Sequence, residues 1–201
     1  MQVQYDSQFP VNDASARQQT GRSMSEWFAV LDDRGGPAAG RRAWSDVLFK
    51  ELKVDAWWVT TLLVEYEAAR GIVEKDGKPK GYNICVTKSV TAQPAAIYEA
   101  MCDAHVLFGP GAKADFKEGG AIDAGNGHRG VFKKVVAGKT LRFTWEGEQH
   151  HAAELIEIKF TPGGAKTSVV LNHDRLANRA AADGMRAAWA DALERLKAKL
   201  G

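Results

Sequence analysis

Five histidines and two cysteines are the side chains of this 201-residue sequence best suited to metal or proton chemistry. His150 and His151 are adjacent, and with His128 they invite a metal reading. Adjacent residues of a strand point to opposite faces, so a pair placed in a strand cannot share one ion. No other histidine or cysteine stands at ligand spacing, and the expectation is that no metal binds. His105 follows a short predicted helix in a loop. It could serve as a general base, but a lone loop imidazole is usually a solvated surface group. His173 and Asp174 lie where the chain leaves its last strand. Asp115, Glu118, Glu146 and Glu148 are acidic, but strand parity does not converge them on one point. There is no nucleophile elbow, phosphate loop or zinc motif. Cys85 and Cys102 lack metal spacing and read as reduced thiols. No catalytic residue, metal or cofactor is therefore assigned, and a non-enzymatic role is favoured.

The remaining chemistry is apolar. Leu141, Phe143, Trp145, Ile156, Ile158, Phe160, Met185 and Trp189 share the inner faces of predicted strands and of a long C-terminal helix. They either line an apolar space for a small apolar ligand or fill that space as core.

The elements that place these residues come in two sets. Residues 1–19 are polar and aperiodic and read as a flexible arm. Residues 20–71 read as a small three-helix domain. Ser23-Met24-Ser25-Glu26 fits a capping box, in which serine and glutamate satisfy each other's backbone amides. Trp27, Phe28 and Leu31 follow, and Gly35-Gly36-Pro37 breaks the helix. A second helix over 39–53 carries Trp44, Val47, Leu48 and Leu52. A third, over 56–70, has Asp55 as its cap, Trp58, Leu62, Tyr66 and Ala69 on one stripe, and Gly71 as its stop. Residues 72–81, charged and rich in Gly, Pro and Lys, read as a linker.

From Tyr82 the period changes to two, marking a strand through Ile84 and Val86. Pro94 starts a short helix with Ile97 and Met101 inward. Strands are predicted over 114–118, 129–136, 140–146, 153–161 and 167–173, with turns at 137–139 and 162–164. A helix over 178–200 ends the chain, with Met185, Trp189, Ala192, Leu196 and Leu200 on one side. This order is α+β. Only the last helix is long enough, with a matching stripe, to cover the sheet. The architecture expected over 82–201 is a helix-grip: a curved antiparallel sheet around one long helix.

The segments YNICVTKSVTAQPAAIYEAM, KEGGAIDAGNGHRGVFKKV, KTLRFTWE, IEIKFTPGGAKTSVVLNHDRL and GMRAAWADALERLKAKL, taken in order, resemble the SRPBCC or START superfamily, the fold of the birch-pollen allergen and of lipid-transfer domains. They are most similar to the branch named after the C-terminal domain of the activator of heat-shock protein 90 ATPase. TGRSMSEWFAVLDD and WWVTTLLVEYEAARG resemble a helical domain of unknown function fused ahead of such modules in bacteria. The resemblance implies a bacterial protein with a ligand cavity, and a hydrogen-bonded junction rather than catalysis at His173.

Composition bounds the partners. Hydrophobic residues make up 45%, charged residues 26%, and the net charge is +2. That balance is too mild for nucleic acid, and Glu65, Glu67 and Arg70 give the third helix no cationic face. No apolar run reaches the roughly 18 residues of a membrane span. The N-terminus has no apolar core of a secretory signal, so a cytoplasmic location is expected. Three functions remain: binding a small apolar ligand, interacting with a protein partner such as a chaperone, or catalysis of a cyclase or hydratase type. An accessible cavity with no converging polar groups would favour the first, a filled core with an exposed aromatic patch the second, and a cavity holding a His, Tyr or Glu cluster the last.

Overall fold

The protein was analysed as a computed structural model that describes residues 1–148, 150 and 154–201. The chain forms two compact units, Ser7–Gly81 and Met1–Asp6 together with Tyr82–Gly201.

The first unit is helical. The flexible arm expected over 1–19 is replaced by ordered structure. Asn12 caps α1, Asp13–Thr20, by accepting from the Ser15 amide. Asp13 accepts from the Met24 amide at 2.9 Å, and Trp27 Nε1 donates to Thr20 Oγ1 at 2.7 Å. These tertiary bonds hold a segment whose own periodicity is weak. The Ser23–Glu26 capping box opens α2, Met24–Asp33. The next helix is broken: α3 spans Gly36–Ser45 with a kink at Gly40, and a π-helical turn follows over Asp46–Glu51. Asp55 caps α4, Ala56–Ala69. Trp27, Leu31, Trp44, Leu48, Trp58, Leu62 and Tyr66 form the core. Residues 72–81, read as a linker, turn back through a Val73–Pro79 bridge. There Lys80 Nζ lies 3.0 Å from the buried Glu67 carboxylate, which Arg41 also approaches at 3.5 Å.

The second unit is the helix-grip. Its strands are β1 (Tyr82–Val90), β2 (Lys113–Ala114), β3 (Ala121–Gly125), β4 (His128–Val136), β5 (Thr140–Trp145), β6 (Glu154–Gly163) and β7 (Lys166–Leu176). They form one antiparallel sheet in the order β1-β7-β6-β5-β4-β3-β2. The helices are α5 (Pro94–Met101), α6 (Ala104–Phe108) and α7 (Arg179–Leu200). α7 is capped by Asn178 and buries Met185, Trp189, Ala192 and Leu196. Two strands differ from the sequence expectation. The strand expected over 114–118 shrinks to β2, and β3 was missed. Its only large apolar residue is Ile122, and it exists because Ala121, Ile122 and Asp123 pair with β4.

Met1–Asp6 lies along this unit. Asn126 Nδ2 donates to the Met1 carbonyl at 3.3 Å, and the Met1 ammonium donates to the Ala124 carbonyl. A Cβ on Gly184, in α7, would fall 2.3 Å from the Gln4 carbonyl oxygen. Glycine at that position is therefore what lets the segment cross the helix. Among the described residues, no helix is long and apolar enough to cross a membrane.

Candidate functional site

The eight residues expected to line a cavity are all buried: Phe160 is 6% exposed and the other seven 0%. The Trp145 and Trp189 rings lie 5.2 Å apart, and Phe143 lies 6.3 Å from Trp189. Phe108 of α6 joins them at 5.7 Å from Phe143. Aromatic pairs at these separations are in contact.

Polar groups are embedded in this apolar interior. On β6, Glu154 is in phase with Ile156 and Ile158, so its carboxylate points inward. On β7, His173 follows Val169 and Leu171 on the same face. On β4, His128 is in phase with Phe132. Register places Glu154 opposite Trp145 and His173 opposite Ile156. Glu154 and His173 are fully buried, and His128 is 5% exposed. His150 lies in a bend before β6 and not in a strand, so the strand-parity argument against the His150–His151 pair does not apply. His151 lies outside the described residues.

These side chains form one hydrogen-bonded chain. Trp189 Nε1 donates to His173 Nδ1 at 3.2 Å. Indole N–H is only a donor, so that nitrogen is unprotonated and neutral His173 carries its proton on Nε2. His173 Nε2 then donates to Glu154 Oε2 at 2.9 Å. His150 Nδ1 donates to the same oxygen at 2.5 Å. His150 Nε2 lies 2.8 Å from the Tyr5 hydroxyl, and His128 Nε2 lies 2.5 Å from it. His128 Nδ1 and Trp145 Nε1 are buried with no hydrogen-bond partner among the described residues, and their rings stack at 5.4 Å.

The surroundings tune each group. Burial alone would push the Glu154 carboxyl up, but the hydrogen bonds from His150 and His173 outweigh it and hold it below its ordinary value. Burial lowers His173 despite Glu154. His128 is lowered by burial and then by the His150 charge, although the Gly125 backbone lies near enough to favour its protonated ring. Tyr5 is pushed up to about 12, first by burial and then by the Glu154 charge.

His150, Glu154 and His173 offer ligand atoms within 4.8 Å of one another, a spacing compatible with a metal ion. To bind an ion through Nε2, His173 would need its proton on Nδ1, facing the Trp189 N–H. That opposition favours protons over a metal in this cluster.

None of these residues is expected from the sequence to be catalytic, and no motif marks Tyr5 or Glu154. The parity of Glu154 and His128 with apolar neighbours was a usable signal, whereas Tyr5 had none. His105 lies exposed on α6 rather than in a loop, and its amide donates to Asp103. Asp115, Glu118, Glu146 and Glu148 are exposed and make no hydrogen bond to the chain among the described residues, although Glu146 and Glu148 line a groove with His150.

Two open spaces adjoin the cluster. A groove of about 590 Å³ is lined by Val3, Tyr5, His128, Gly184 and Ala187 among others. A second, of about 480 Å³, is lined by Arg129, Glu146 and His150 among others.

Residues 91–201 match the family described as Activator of Hsp90 ATPase homolog 1-like protein. CalU16 from Micromonospora echinospora superposes with a TM-score of 0.53 at 18% identity, over 59% of this chain and 76% of its own. The Aha1 dimer from Colwellia psychrerythraea gives 0.52 at 20% identity, over 59% and 96%. Protein MLL2253 from Mesorhizobium loti gives 0.51 at 18%, over 58% and 95%. At these identities the likeness is one of fold. No curated protein matches the chain.

Proposed function

We propose, for a chain that belongs to the Activator of Hsp90 ATPase homolog 1-like family, that its helix-grip unit binds a small, largely apolar molecule. The proposed site is the groove between Met1–Asp6 and α7. The observation that carries this reading is the open groove against α7, which the buried polar chain meets at Tyr5 and His128. Such a cluster also suits the cyclase or hydratase reading, and binding of a small molecule is the step the two readings share. Small-molecule sites join apolar surface to convergent polar groups. Here Val3, Ala187 and Ala188 supply the first, and Tyr5 and His128, with Gln2, Gln4, Asn126 and Asp191 around them, the second. Leu141, Phe143, Trp145, Ile156, Ile158, Phe160, Met185 and Trp189 then act as the packed wall that fixes the polar chain.

An interaction with a protein partner would use exposed apolar surface. Among the described residues the large exposed apolar side chains are Phe49, Leu52 and Val73, all in the helical unit. For the helix-grip unit this supports a small molecule over a protein surface.

Anilinonaphthalene sulfonate fluorescence tests the reading. Ala187 is exposed in the groove, so Ala187→Trp fills it without entering the core. The wild type should enhance the dye's emission, and Ala187→Trp should abolish the enhancement. Equal enhancement in both proteins would place the dye elsewhere and refute the site.

A further inference from the structure

We infer that His128 Nε2, His150 Nε2 and the Tyr5 oxygen form a site for one zinc ion, with the two imidazoles and the Tyr5 phenolate as its protein ligands. The inference goes beyond the binding reading above, because the ion is held by the chain's own side chains whatever else the groove takes.

The three ligand atoms come from separate parts of the helix-grip unit. His128 opens β4, His150 lies in the bend before β6, and Tyr5 belongs to the segment that crosses α7 at Gly184. Both imidazoles turn Nε2 toward the same oxygen, at 2.5 and 2.8 Å. Gly147 sits between the two rings. A Cβ there would fall 3.1 Å from Cδ2 of each, so glycine leaves room for the rings to converge. Zinc takes nitrogen and oxygen ligands at about 2.0–2.2 Å in a tetrahedron, which sets them about 3.3 Å apart. The ion therefore needs the Tyr5 oxygen to withdraw by less than about 1 Å from each nitrogen. Tyr5 is partly exposed and lies outside the sheet, so its side chain is the one free to move. The same movement uncovers the His150 nitrogen and gives the ion its way in.

The outer partners suit an ion. A histidine ligand normally gives its other ring N–H to a carboxylate or a carbonyl. Glu154 takes that role for His150 Nδ1. Its carboxyl is held below the ordinary value, so it is an acceptor, and His150 keeps a proton on Nδ1 whether the ring is neutral or charged. The Gly125 backbone favours a proton on the His128 ring. His173 is not a ligand, because its Nδ1 accepts from Trp189 and its Nε2 gives its proton to Glu154.

The charges balance. Zinc brings two positive charges, and the Tyr5 phenolate and Glu154 carboxylate bring two negative ones. The Tyr5 O–H bond breaks, its electron pair goes to the metal and its proton to solvent. Without the ion, burial and then the Glu154 charge push that hydroxyl up to about 12. The second of these effects is a field that favours a cation at the same point. Three protein ligands leave a fourth position, and the groove lined by Tyr5 and His128 supplies water for it.

The test uses untagged full-length protein stripped with chelator, and zinc alone. Equilibrium dialysis with elemental analysis should find one zinc per chain. Zinc itself is silent in the near ultraviolet, so at neutral pH its addition should raise the phenolate absorption of a single tyrosine. Tyr5 is one of four tyrosines, so its replacement identifies the band. Tyr5→Phe keeps the ring and should remove that absorption. It should also weaken zinc binding by at least about 100-fold, since loss of an outer partner alone costs about 10–100-fold. His128→Gln should do the same, while His105→Gln, at an exposed imidazole, should bind as the wild type does. No zinc bound by the wild type would overturn the site. Binding without the phenolate absorption, or binding undiminished in Tyr5→Phe, would put the ion elsewhere, as on His150, Glu154 and His173, and overturn it too.

Discussion

Glu154→Gln is the sharpest perturbation of the buried cluster. The Glu154 side chain is fully buried, and one of its oxygens accepts from both His150 at 2.5 Å and His173 at 2.9 Å. Hydrogen bonds to charged groups contribute about 1.5–3 kcal/mol each. Glutamine can set its carbonyl oxygen where that carboxylate oxygen lies and accept from both histidines, but it loses the charge that strengthens the two bonds. The expected loss is therefore about 2–4 kcal/mol, a large part of a domain stability of about 5–15 kcal/mol. Urea unfolding at neutral pH should show this as a lower midpoint with an unchanged slope. The indole N–H resonances of Trp145 and Trp189 confine the readout to the helix-grip unit. A loss below about 0.5 kcal/mol, the scale of an ordinary surface change, would mean that the carboxylate is not the buried anchor described. A gain in stability would mean that its desolvation outweighs its pairing.

Trp189→Ala empties a fully buried site and removes the donor that fixes His173, so it should cost at least the usual 3–5 kcal/mol or so of a deleted core aromatic by the same urea assay. Gly184→Ala would favour an isolated helix, yet its methyl meets the Gln4 carbonyl oxygen at 2.3 Å. Amide exchange in residues 2–6 should speed up while the interior of α7 stays protected, and unchanged exchange would contradict the close approach. Acid should destabilise the helix-grip unit in two steps. His173 and His128 are lowered in the folded state, so their contribution is full above 6.5 and declines as pH falls below it. Glu154 is also lowered, so its contribution is full above 4.5 and is lost as pH falls through its folded value. A midpoint that rises on acidification from neutral pH would reverse the sign of this argument.

The parts of the fold legible in the sequence carry their own local signal. The Ser23–Glu26 capping box, the turn at 137–139 and the Met185, Trp189, Ala192, Leu196 stripe depend on near neighbours only. α1 and β3 were missed because tertiary partners hold them: Met24 for Asp13, and β4 for Ile122. The same division runs through the site. Glu154 and His128 each stand in phase with inward apolar residues, a pattern that a search for buried polar groups on an apolar face would have caught. Tyr5 lies in a segment read as an arm, more than a hundred residues from His128 and His150, and only the docking of Met1–Asp6 brings it there. His150 lies in a bend, so strand parity does not bear on the His150–His151 pair.

The central claim is that a hydrogen-bonded chain runs from Trp189 to His128, and that Trp189 fixes the proton of His173 on Nε2, toward Glu154. Long-range proton–nitrogen NMR of ¹⁵N-labelled full-length protein at neutral pH reads those positions directly. The account predicts neutral His173 with its proton on Nε2, toward Glu154, and a bare Nδ1 that accepts from the Trp189 indole. His173 protonated on Nδ1, or carrying protons on both nitrogens, would contradict it.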